Sequence, residues 1–374
     1  MKISTQIKLV YSEKDKDALL QTIEMFNEVC NGISKVAFSI RVFNQFNIHK
    51  LVYRMVRDCY PLSAQLCIRA ISKVADSYKI DHLIERKFNS YGAITYDSRV
   101  LSFDFNNQIV SINTINGRIK IPFVCGQRQL EQLKFQKGEA DLVFRDGNFY
   151  LLTCCEIPEE KAKTSSEFLG IDRGVNNIAA DSLGNIYSGN KVISVRKKYS
   201  NLRRKLQKVK TKSSKRKLAR MRRKESRFAK HINHEISKKI VATAQRHNLG
   251  IAIENLKGIR KSTTVRKGNR YIRQSWSFYD LEQKIIYKAK LKGIEVTKVD
   301  PRNTSKECSA CGHISKLNRK TQSLFLCQVC GHTDHADINA SRNISRRAVV
   351  NWPIVGSVVV VNSCRSPSYK SLSL

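Results

Sequence analysis

Apolar residues recur at two different spacings along the first half of the chain. Residues 3–11 alternate apolar and polar side chains, which predicts a β-strand. The stretch from Ser12 to Asp15 resembles a capping box, and apolar residues follow it at helical spacing from 19 to 40. Similar apolar stripes predict two more helices, over residues 51–59 and 63–78. One strand followed by a helical segment is therefore expected.

From about Ala93 the apolar spacing changes to two. The alternating segments span residues 100–105, 108–114 and 118–123, with a further pair on either side of Asp146-Gly147. Asn116-Gly117 has the composition of a tight hairpin turn. We therefore expect one β-barrel, formed by residues 1–12 and 93–160 and interrupted by a helical lobe at residues 13–92.

A different pattern begins after the polar, turn-rich stretch at residues 159–166. Residues 168–179 are predicted as one apolar strand with Asp172 in its middle, and Glu254 ends a second apolar strand at residues 250–256. A carboxylate in an apolar strand costs free energy unless it is paired or binds a cation. An ion pair with a neighbouring arginine is the structural alternative for Asp172.

Asp337 is a third isolated carboxylate, and it precedes a predicted helix at residues 338–347. Its structural alternative is a helix N-cap, because a carboxylate there satisfies backbone donors. Read together with Asp172 and Glu254, however, it favours a metal-dependent nuclease. Carboxylates of this kind hold two magnesium ions in phosphoryl-transfer enzymes, where one ion activates water and the other stabilises the leaving 3′ oxygen.

Four of the eleven cysteines form two Cys-x-x-Cys pairs with fifteen residues between them. They are Cys308, Cys311, Cys327 and Cys330. Four soft ligands at this spacing suit one tetrahedral zinc ion, with redox dithiols or buried free cysteines as the alternatives. We expect structural zinc. The other seven cysteines are scattered and are interpreted as reduced core residues of a cytosolic protein.

The chain of 374 residues carries 68 lysines and arginines against 31 acidic residues, a net charge of +37. Such an excess indicates a polyanionic partner. An acidic membrane surface is the alternative, but the sequence shows no amphipathic anchor. No apolar run reaches the length of about 18 residues that a membrane span needs. We therefore expect no membrane partner.

Basic residues are concentrated between Arg196 and Lys239, where twenty lysines and arginines stand against two acids without a glycine or proline. Long helices of this composition repel themselves unless phosphates neutralise them, so we expect them to contact nucleic acid. The candidate contacts are Arg203, Arg204, Arg216, Arg222 and Arg223, with Tyr53 and Gln65 from the helical lobe.

Four motifs in the C-terminal half resemble, in order and spacing, those of the transposon-encoded TnpB proteins. They are GIDRG at 170–174, IENL at 253–256, TSKECSACG at 304–312 and DINA at 337–340. The resemblance implies an α/β plus β fold, with a wedge β-barrel interrupted by a helical recognition lobe. It further implies a RuvC-like, RNase H-type nuclease domain at residues 167–374, with a zinc ribbon inserted at residues 303–333 and a C-terminal tail at residues 351–374.

The resemblance also implies roles for individual residues. Asp172, Glu254 and Asp337 match the catalytic acids that bind magnesium, and the four cysteines match the zinc ligands. Arg319 matches an arginine that can approach the active site, with a solvated loop arginine as the alternative.

The activity implied is that of an RNA-guided DNA endonuclease. A guide RNA from the transposon end would direct cleavage of double-stranded DNA beside a short target-adjacent motif. We expect a monomer with its RNA in the prokaryotic cytoplasm, associated with the nucleoid. Three alternatives stay open: a compact type V CRISPR effector, a guide-free structure-specific nuclease or transposase, and an RNA-guided repressor whose acids are idle.

Overall fold

The computed structural model describes residues 1–256 and 278–350, which form two compact units. The first unit ends at Pro158 and the second begins at Glu159. Residues 257–277 and the tail at residues 351–374 lie outside the described residues. Across the described part of the chain, no helix is long and apolar enough to cross a membrane.

The first unit contains a seven-stranded antiparallel sheet that forms a nearly closed β-barrel. Its strands are β1 (Lys2–Leu9), β2 (Ile94–Tyr96), β3 (Leu101–Asp104), β4 (Ile109–Thr114), β5 (Gly117–Val124), β6 (Gln136–Arg145) and β7 (Asn148–Glu156). They follow the order β2-β6-β7-β1-β5-β4-β3. Because β1 lies between β7 and β5, the prediction of one sheet interrupted by a helical segment is confirmed.

Four helices belong to the described part of this unit. They are α1 (Glu13–Ser39), α2 (Gln45–Cys59), α3 (Ala64–Tyr78) and α4 (Gln127–Leu133). The predicted capping box is confirmed, since Ser12 Oγ accepts from the Asp15 N–H and the Asp15 carboxylate accepts from the Ser12 N–H, both at 3.2 Å. The apolar stripes of α1, α2 and α3 pack with the inward-facing strand residues in one core, in which Phe26 and Tyr96 are fully buried.

The second unit is built on a five-stranded mixed sheet. Its strands are β8 (Phe168–Asp172), β9 (Asn177–Asp181), β10 (Ile186–Ser188), β11 (Gly250–Glu254) and β12 (Val296–Val299), in the order β10-β9-β8-β11-β12. Strands β8, β11 and β12 run parallel, and β9 runs antiparallel to both of its neighbours. The carboxyl ends of three strands therefore meet at one edge of this sheet.

The prediction of a single apolar strand over residues 168–179 is wrong. The chain leaves β8 at Asp172, turns within four residues and returns as β9 from Asn177. A Cβ at Gly174 would lie 2.8 Å from the Asn177 carbonyl oxygen, so glycine permits this turn. The turn contains Gly174 and Asn176, which are turn-forming residues that the prediction of one strand did not use. Asp172 consequently ends a strand instead of interrupting one.

The second unit also contains helices, some of which cover the two faces of this sheet. They are α5 (Asn190–Val209), α6 (Lys212–Met221), α7 (Lys224–Arg246), α8 (Phe278–Leu291) and α9 (Ala336–Val350). Leu169 and Ile171 of β8 pack in the core with α7 and α8, whereas Phe168 packs in a smaller cluster with α9. The basic helices expected between Arg196 and Lys239 are confirmed as α5, α6 and α7.

A small ribbon connects β12 to α9. It contains the hairpin β13 (Leu324–Leu326) and β14 (Thr333–His335). Two side chains of α9 hold its first part: Asn339 Oδ1 accepts from the Ser309 N–H at 2.9 Å, and Asn343 Nδ2 donates to the Thr304 and Glu307 carbonyls at 2.9 and 2.7 Å. The ribbon is thus attached to the same helix that carries Asp337.

Gly170 is the point where α9 lies directly on β8. A Cβ at this position would lie 2.0 Å from the Ser341 carbonyl oxygen and 2.5 Å from the Ser345 nitrogen, both of them helix backbone atoms. Gly170→Ala should therefore force α9 away from the sheet and lower the free energy of unfolding by about 1–3 kcal/mol in denaturant titrations.

The matched control is Gly32→Ala on α1, where a Cβ would meet only the Tyr60 hydroxyl at 3.8 Å. This variant should be as stable as the unmodified chain or slightly more stable, because alanine favours the helix over glycine. Equal stability of Gly170→Ala and the unmodified chain would contradict the close packing of α9 on β8.

Candidate active site

Asp172 and Glu254 end two neighbouring parallel strands. Strands β8 and β11 pair with Ile171 opposite Ile253, so the next two positions in register are Asp172 and Glu254. Neighbouring strands lie about 4.8 Å apart. Because strand side chains alternate between faces, both acids share the face of Ala252, which packs with α9. Strand register alone thus places these two carboxylates side by side.

Helix α9 brings Asp337 to the same place. Four residues of a helix advance about 6.0 Å along its axis, and two residues of a strand advance about 6.6 Å. Where α9 packs along β8, every fourth residue of the helix can therefore lie opposite every second residue of the strand. The matched pairs are Ser345 with Phe168, Ser341 with Gly170, and Asp337 with Asp172. The Ser345 hydroxyl donates to the Phe168 carbonyl at 2.6 Å, which fixes one end of this series.

The N-cap interpretation of Asp337 is wrong. Helix α9 begins one residue earlier, at Ala336, and the N–H of Asp337 donates to His335 Nδ1 at 3.2 Å. The carboxylate of Asp337 instead accepts from two distant side chains: Asn177 Nδ2 at 2.9 Å and Arg319 Nη2 at 3.1 Å. Its hydrogen bonds join β9 and the ribbon to α9.

Arg319 lies between the two cysteine pairs in the sequence and contacts Asp337 directly. Its side chain is only 27% exposed and forms an ion pair with Asp337, and the same Nη2 donates to the Gln322 carbonyl at 3.0 Å. A purely solvated loop arginine does not have this geometry. Glu254 has a neutral partner instead, since its Oε1 accepts from the Thr304 hydroxyl at 2.6 Å.

Burial disfavours ionisation of Asp172 and Glu254. Burial, together with the carboxylates of Glu254 and Asp337, raises the pKa of Asp172 to about 7, although Arg319 acts in the opposite direction. Burial also raises the pKa of Glu254, opposed by the hydrogen bond from Thr304. Three converging carboxylates with one arginine carry excess negative charge. A set of oxygen donors with this charge fits a hard divalent cation such as Mg²⁺.

A buried ionic cluster supports Glu254 from behind. Arg173, whose side chain is fully buried, donates from Nη2 to the Glu254 carbonyl at 2.6 Å and from Nη1 to Glu282 Oε2 at 2.8 Å. Lys298 Nζ donates to the other carboxylate oxygen of Glu282 at 2.5 Å. Burial opposes ionisation of Glu282, but Lys298 and Arg173 outweigh it and lower its pKa. The cluster joins α8 and β12 to the backbone of Glu254.

The four predicted zinc-ligand cysteines lie together, with all four sulfur atoms within 4.8 Å of one another. The Cys308–Cys330 sulfur separation is 3.7 Å and the Cys311–Cys327 separation is 3.5 Å. Sulfurs bound at ~2.3 Å to one tetrahedral zinc would lie about 3.8 Å apart. Backbone N–H groups of Cys330 and Val329 lower the pKa of Cys327 to about 6, which favours the thiolate that a metal requires. The cluster fits a single metal ion.

The scattered cysteines of the described residues differ in their burial. Cys30, Cys67 and Cys155 are buried, as expected. Cys59 is exposed, so the expectation of a core position is wrong there, because it occupies the last turn of α2 on its outer face. Cys364 lies outside the described residues.

The predicted nucleic-acid contacts differ in their surroundings. Arg204, Arg216, Arg222 and Arg223 are exposed on or beside the basic helices, whereas Arg203 is partly buried and pairs with Glu225 at 2.8 Å. In the first unit, the Gln65 amide contacts Asp97 and accepts from Arg99 Nη1 at 3.0 Å, and the Tyr53 ring stacks on His49 with centroids 4.6 Å apart. Contact of these residues with nucleic acid stays a prediction.

Two family models match the second unit and the strand before it. Residues 152–260 match the OrfB_IS605 family, described as "Probable transposase", and residues 278–344 match the Cas12f1-like TNB domain. The first match contains Asp172 and Glu254. The second contains the cysteine cluster and Asp337.

The TnpB-like protein MJ0751 of Methanocaldococcus jannaschii is 31% identical to the chain over 237 residues, which cover 62% of this chain and 80% of that protein. The chain belongs to the TnpB family. A second relative of this TnpB-family chain is the CRISPR-associated endodeoxyribonuclease Cas12f1 of Sulfoacidibacillus thermotolerans, 45% identical over 121 residues. That match covers 32% of the chain and 27% of the relative, so the chain spans about a quarter of the length of this relative.

The fold of the TnpB-family chain is also found in a solved structure, the Cas12f1–sgRNA–target DNA complex. The superposition has a TM-score of 0.63 at 18% sequence identity and covers 90% of this chain and 83% of that chain. At this identity the likeness shows a shared fold.

Asn177, Thr304 and Arg173 contact the acids although no sequence pattern singled them out. Arg173 and Thr304 lie within the GIDRG and TSKECSACG motifs, which is the signal that was available. Asn177 follows the turn at residues 173–176, which the prediction of one strand missed, and no local pattern indicated that it would face Asp337.

The raised pKa of Asp172 predicts a pH-dependent stability. Its pKa in the unfolded chain is near the ordinary value of 3.8, and its pKa in the folded chain is about 7, so the favourable contribution of this group is complete below pH 3.8 and is lost as the pH rises through 7. Without divalent cations at pH 8, Asp172→Asn should therefore unfold at higher denaturant than the unmodified chain. The gain should be on the order of 1–3 kcal/mol, since one pKa unit corresponds to about 1.4 kcal/mol.

The control is the exposed Asp58→Asn, which should leave the unfolding free energy at pH 8 unchanged. If Asp172→Asn is no more stable than the unmodified chain at pH 8 without divalent cations, the three carboxylates do not repel one another as described.

Proposed function

We propose that the second unit is a RuvC-like, RNase H-type nuclease domain, and that the protein is an RNA-guided DNA endonuclease of transposon origin. The observation that carries this proposal is the convergence of Asp172, Glu254 and Asp337 at the carboxyl edge of the mixed sheet, with a pKa near 7 for Asp172. Membership of the TnpB family supports the transposon origin. The relative Cas12f1 is named an endodeoxyribonuclease, which supports DNA as the substrate.

Asp172, Glu254 and Asp337 would hold two magnesium ions. Bound there, the ions would supply an activated water and charge stabilisation for the leaving 3′ oxygen of a phosphodiester. Thr304 and Asn177 each donate one hydrogen bond to a carboxylate, which limits how Glu254 and Asp337 can rotate. These two neutral donors orient the acids without cancelling the charge that attracts a cation.

Arg319 would act on the substrate itself. Its guanidinium lies beside Asp337 while remaining partly open to solvent, so a scissile phosphate at the acids would come within its reach. A planar guanidinium can donate two parallel hydrogen bonds to phosphate oxygens and stabilise the negative charge that develops in the transition state. We therefore assign Arg319 a catalytic role in this proposal.

Zinc would be structural here. Cys308, Cys311, Cys327 and Cys330 would bind it, and Arg319 is carried between the two pairs. A folded ribbon is therefore required to present Arg319 to Asp337. Loss of the metal would remove that arginine from the site while leaving the three acids in place.

Guide RNA from the transposon end and double-stranded target DNA are the proposed partners. The net charge of +37 and the three basic helices supply the surface for a polyanion. The Cas12f1 structure with the shared fold is a complex with sgRNA and target DNA. Base pairing would choose the target, while the protein would read a short target-adjacent motif. A monomer with its RNA, in the prokaryotic cytoplasm near the nucleoid, completes the proposal.

The acids are tested with DNA complementary to the RNA that copurifies with the protein, in the presence of Mg²⁺. Asp172→Ala should reduce the cleavage rate by at least about 100-fold, because even loss of a residue that only supports a metal ligand costs 10- to 100-fold. Target binding in a gel-shift assay should be retained. The matched control is Asp300→Ala, an exposed carboxylate of the same unit, which should cut at the unmodified rate.

Other outcomes distinguish the alternatives. DNA that is bound but uncut by the unmodified chain would identify an RNA-guided repressor. Cleavage of branched DNA by RNA-free protein would identify a guide-free structure-specific nuclease or transposase. RNA derived from a repeat array instead of a transposon end would identify a CRISPR effector.

The ribbon is tested by Cys327→Ser. We expect metal analysis to find less than one zinc per chain, the ribbon to exchange amide hydrogens faster, and cleavage to be impaired because Arg319 is no longer held at Asp337. Cys59→Ser, at an exposed cysteine of the first unit, is the control and should retain both zinc and activity. Full activity of Cys327→Ser without bound metal would refute the structural role of zinc.

A further inference from the structure

A cavity of about 480 Å³ opens between helices α5, α6 and α7. This volume falls within the range of roughly 300–1,000 Å³ that small-molecule sites occupy. We call it the arginine pocket, after Arg196, Arg203, Arg222 and Arg223, which line it together with Leu218 and Met221.

Glu225 fixes two of the arginines. It is the only acidic residue between 190 and 234, and its two oxygens lie 2.8 Å from Arg203 Nη1 and 3.8 Å from Arg196 Nε. Arg196 and Arg203 are seven residues apart on α5, so they lie two turns apart on one face of that helix. A carboxylate that contacts both arginines holds them in a fixed arrangement on one wall of the pocket.

The other two arginines come from the α6–α7 junction. Arg223 adopts a left-handed backbone conformation with φ 67°, which turns the chain sharply between the two helices. Arg222 and Arg223 are both exposed at this turn. Four arginines against one glutamate give the pocket a net charge of +3, so an anionic ligand is favoured.

The pocket also has an apolar surface. Leu218 and Met221 are one helical turn apart on α6 and are both partly buried. A site for phosphate alone needs no such surface. The planar aromatic group of a ligand could pack on Leu218 and Met221 while the anionic group of the same ligand reaches Arg222 and Arg223. Arginine guanidinium groups also stack on nucleic-acid bases.

We infer that the arginine pocket binds one unpaired nucleotide of a single-stranded RNA or DNA, with the base against Leu218 and Met221 and its phosphate at Arg222 and Arg223. This inference rests on the proposed function, because it gives the basic helices a defined ligand. A paired base cannot enter, since it is stacked inside its duplex. The pocket therefore discriminates single strands from duplexes, which a simple basic surface does not.

The test uses the full chain freed of RNA, without added divalent cations, and three fluorescein-labelled probes: oligouridine RNA, oligothymidine DNA and a duplex of equal length. Anisotropy gives the affinity at several salt concentrations. The double variant Leu218→Ala, Met221→Ala should bind at least one of the single strands about tenfold more weakly, because it removes the apolar surface for the base. Duplex affinity and the salt dependence should stay unchanged, because the phosphate contacts are retained.

Arg216→Gln is the matched control, at an exposed arginine of α6 that does not line the pocket. It should weaken single-strand and duplex binding by the same factor and reduce their salt dependence. If the double variant loses affinity for oligouridine, the nucleotide belongs to RNA. If it loses affinity for oligothymidine, the nucleotide belongs to DNA.

A second measurement keeps the unmodified sequence. Photocrosslinking of oligouridine that contains 4-thiouridine, followed by mass spectrometry, should locate crosslinks at residues 218–226. The inference is overturned if the double variant binds every probe with unchanged affinity, if it loses duplex and single-strand affinity equally, or if no crosslink falls within 218–226. Because no cleavage is measured, a failure here leaves the nuclease proposal standing, and loss of nuclease activity does not affect this test.

Discussion

The close contact between helix α9 and strand β8 at Gly170 is the constraint on which the rest of the second unit depends. It requires a residue without a side chain, because the backbone of Ser341 already occupies the space where a Cβ would lie. Once this contact is made, the helical and strand repeats bring Asp337 to the end of β8 beside Asp172. The same helix holds the ribbon through Asn339 and Asn343. One packing contact therefore positions the third acid and the segment that carries Arg319.

The site is electrostatically unfavourable by itself. Burial and neighbouring carboxylates raise the pKa of Asp172, and burial raises that of Glu254. Residues with strongly perturbed pKa values cluster at functional sites, where an unfavourable electrostatic environment is needed for binding or catalysis. The opposite arrangement lies directly behind, where Arg173 and Lys298 neutralise Glu282. The charge of Glu282 is thus neutralised within the protein, whereas the negative charge of the three acids is not. This difference is expected if a bound cation supplies the missing positive charge at the acids.

The acids and the cysteine cluster could be predicted from the sequence because they stand in strong local patterns. Asp172 and Glu254 are isolated carboxylates in apolar strand patterns, and the four cysteines have the spacing of a metal site. What the sequence did not reveal depends on long-range geometry. The turn before Asn177 is a different case, because Gly174 and Asn176 are turn-forming residues that the prediction of one strand did not use.

The same limit applies to the polar neighbours of the acids. Thr304 meets Glu254 across 50 residues and Asn177 meets Asp337 across 160, and no local pattern encodes such distances. In the helical lobe, the environment of Gln65 depends on Asp97 and Arg99, which lie more than thirty residues away. Residues whose partners are distant in sequence are identified only once strand register and helix packing are known.

The central claim is that Asp172, Glu254 and Asp337 form one cation site, and binding of Mn²⁺ to the RNA-free protein tests it most directly. Electron paramagnetic resonance of the free ion, during titration of the protein with Mn²⁺, measures affinity and stoichiometry without any nucleic acid. The account predicts saturable binding of up to two ions per chain that is lost in Asp337→Asn. Asp334→Asn, a carboxylate three residues away that pairs with Arg342, should bind as the unmodified chain does. Undiminished Mn²⁺ binding by Asp337→Asn would contradict the account.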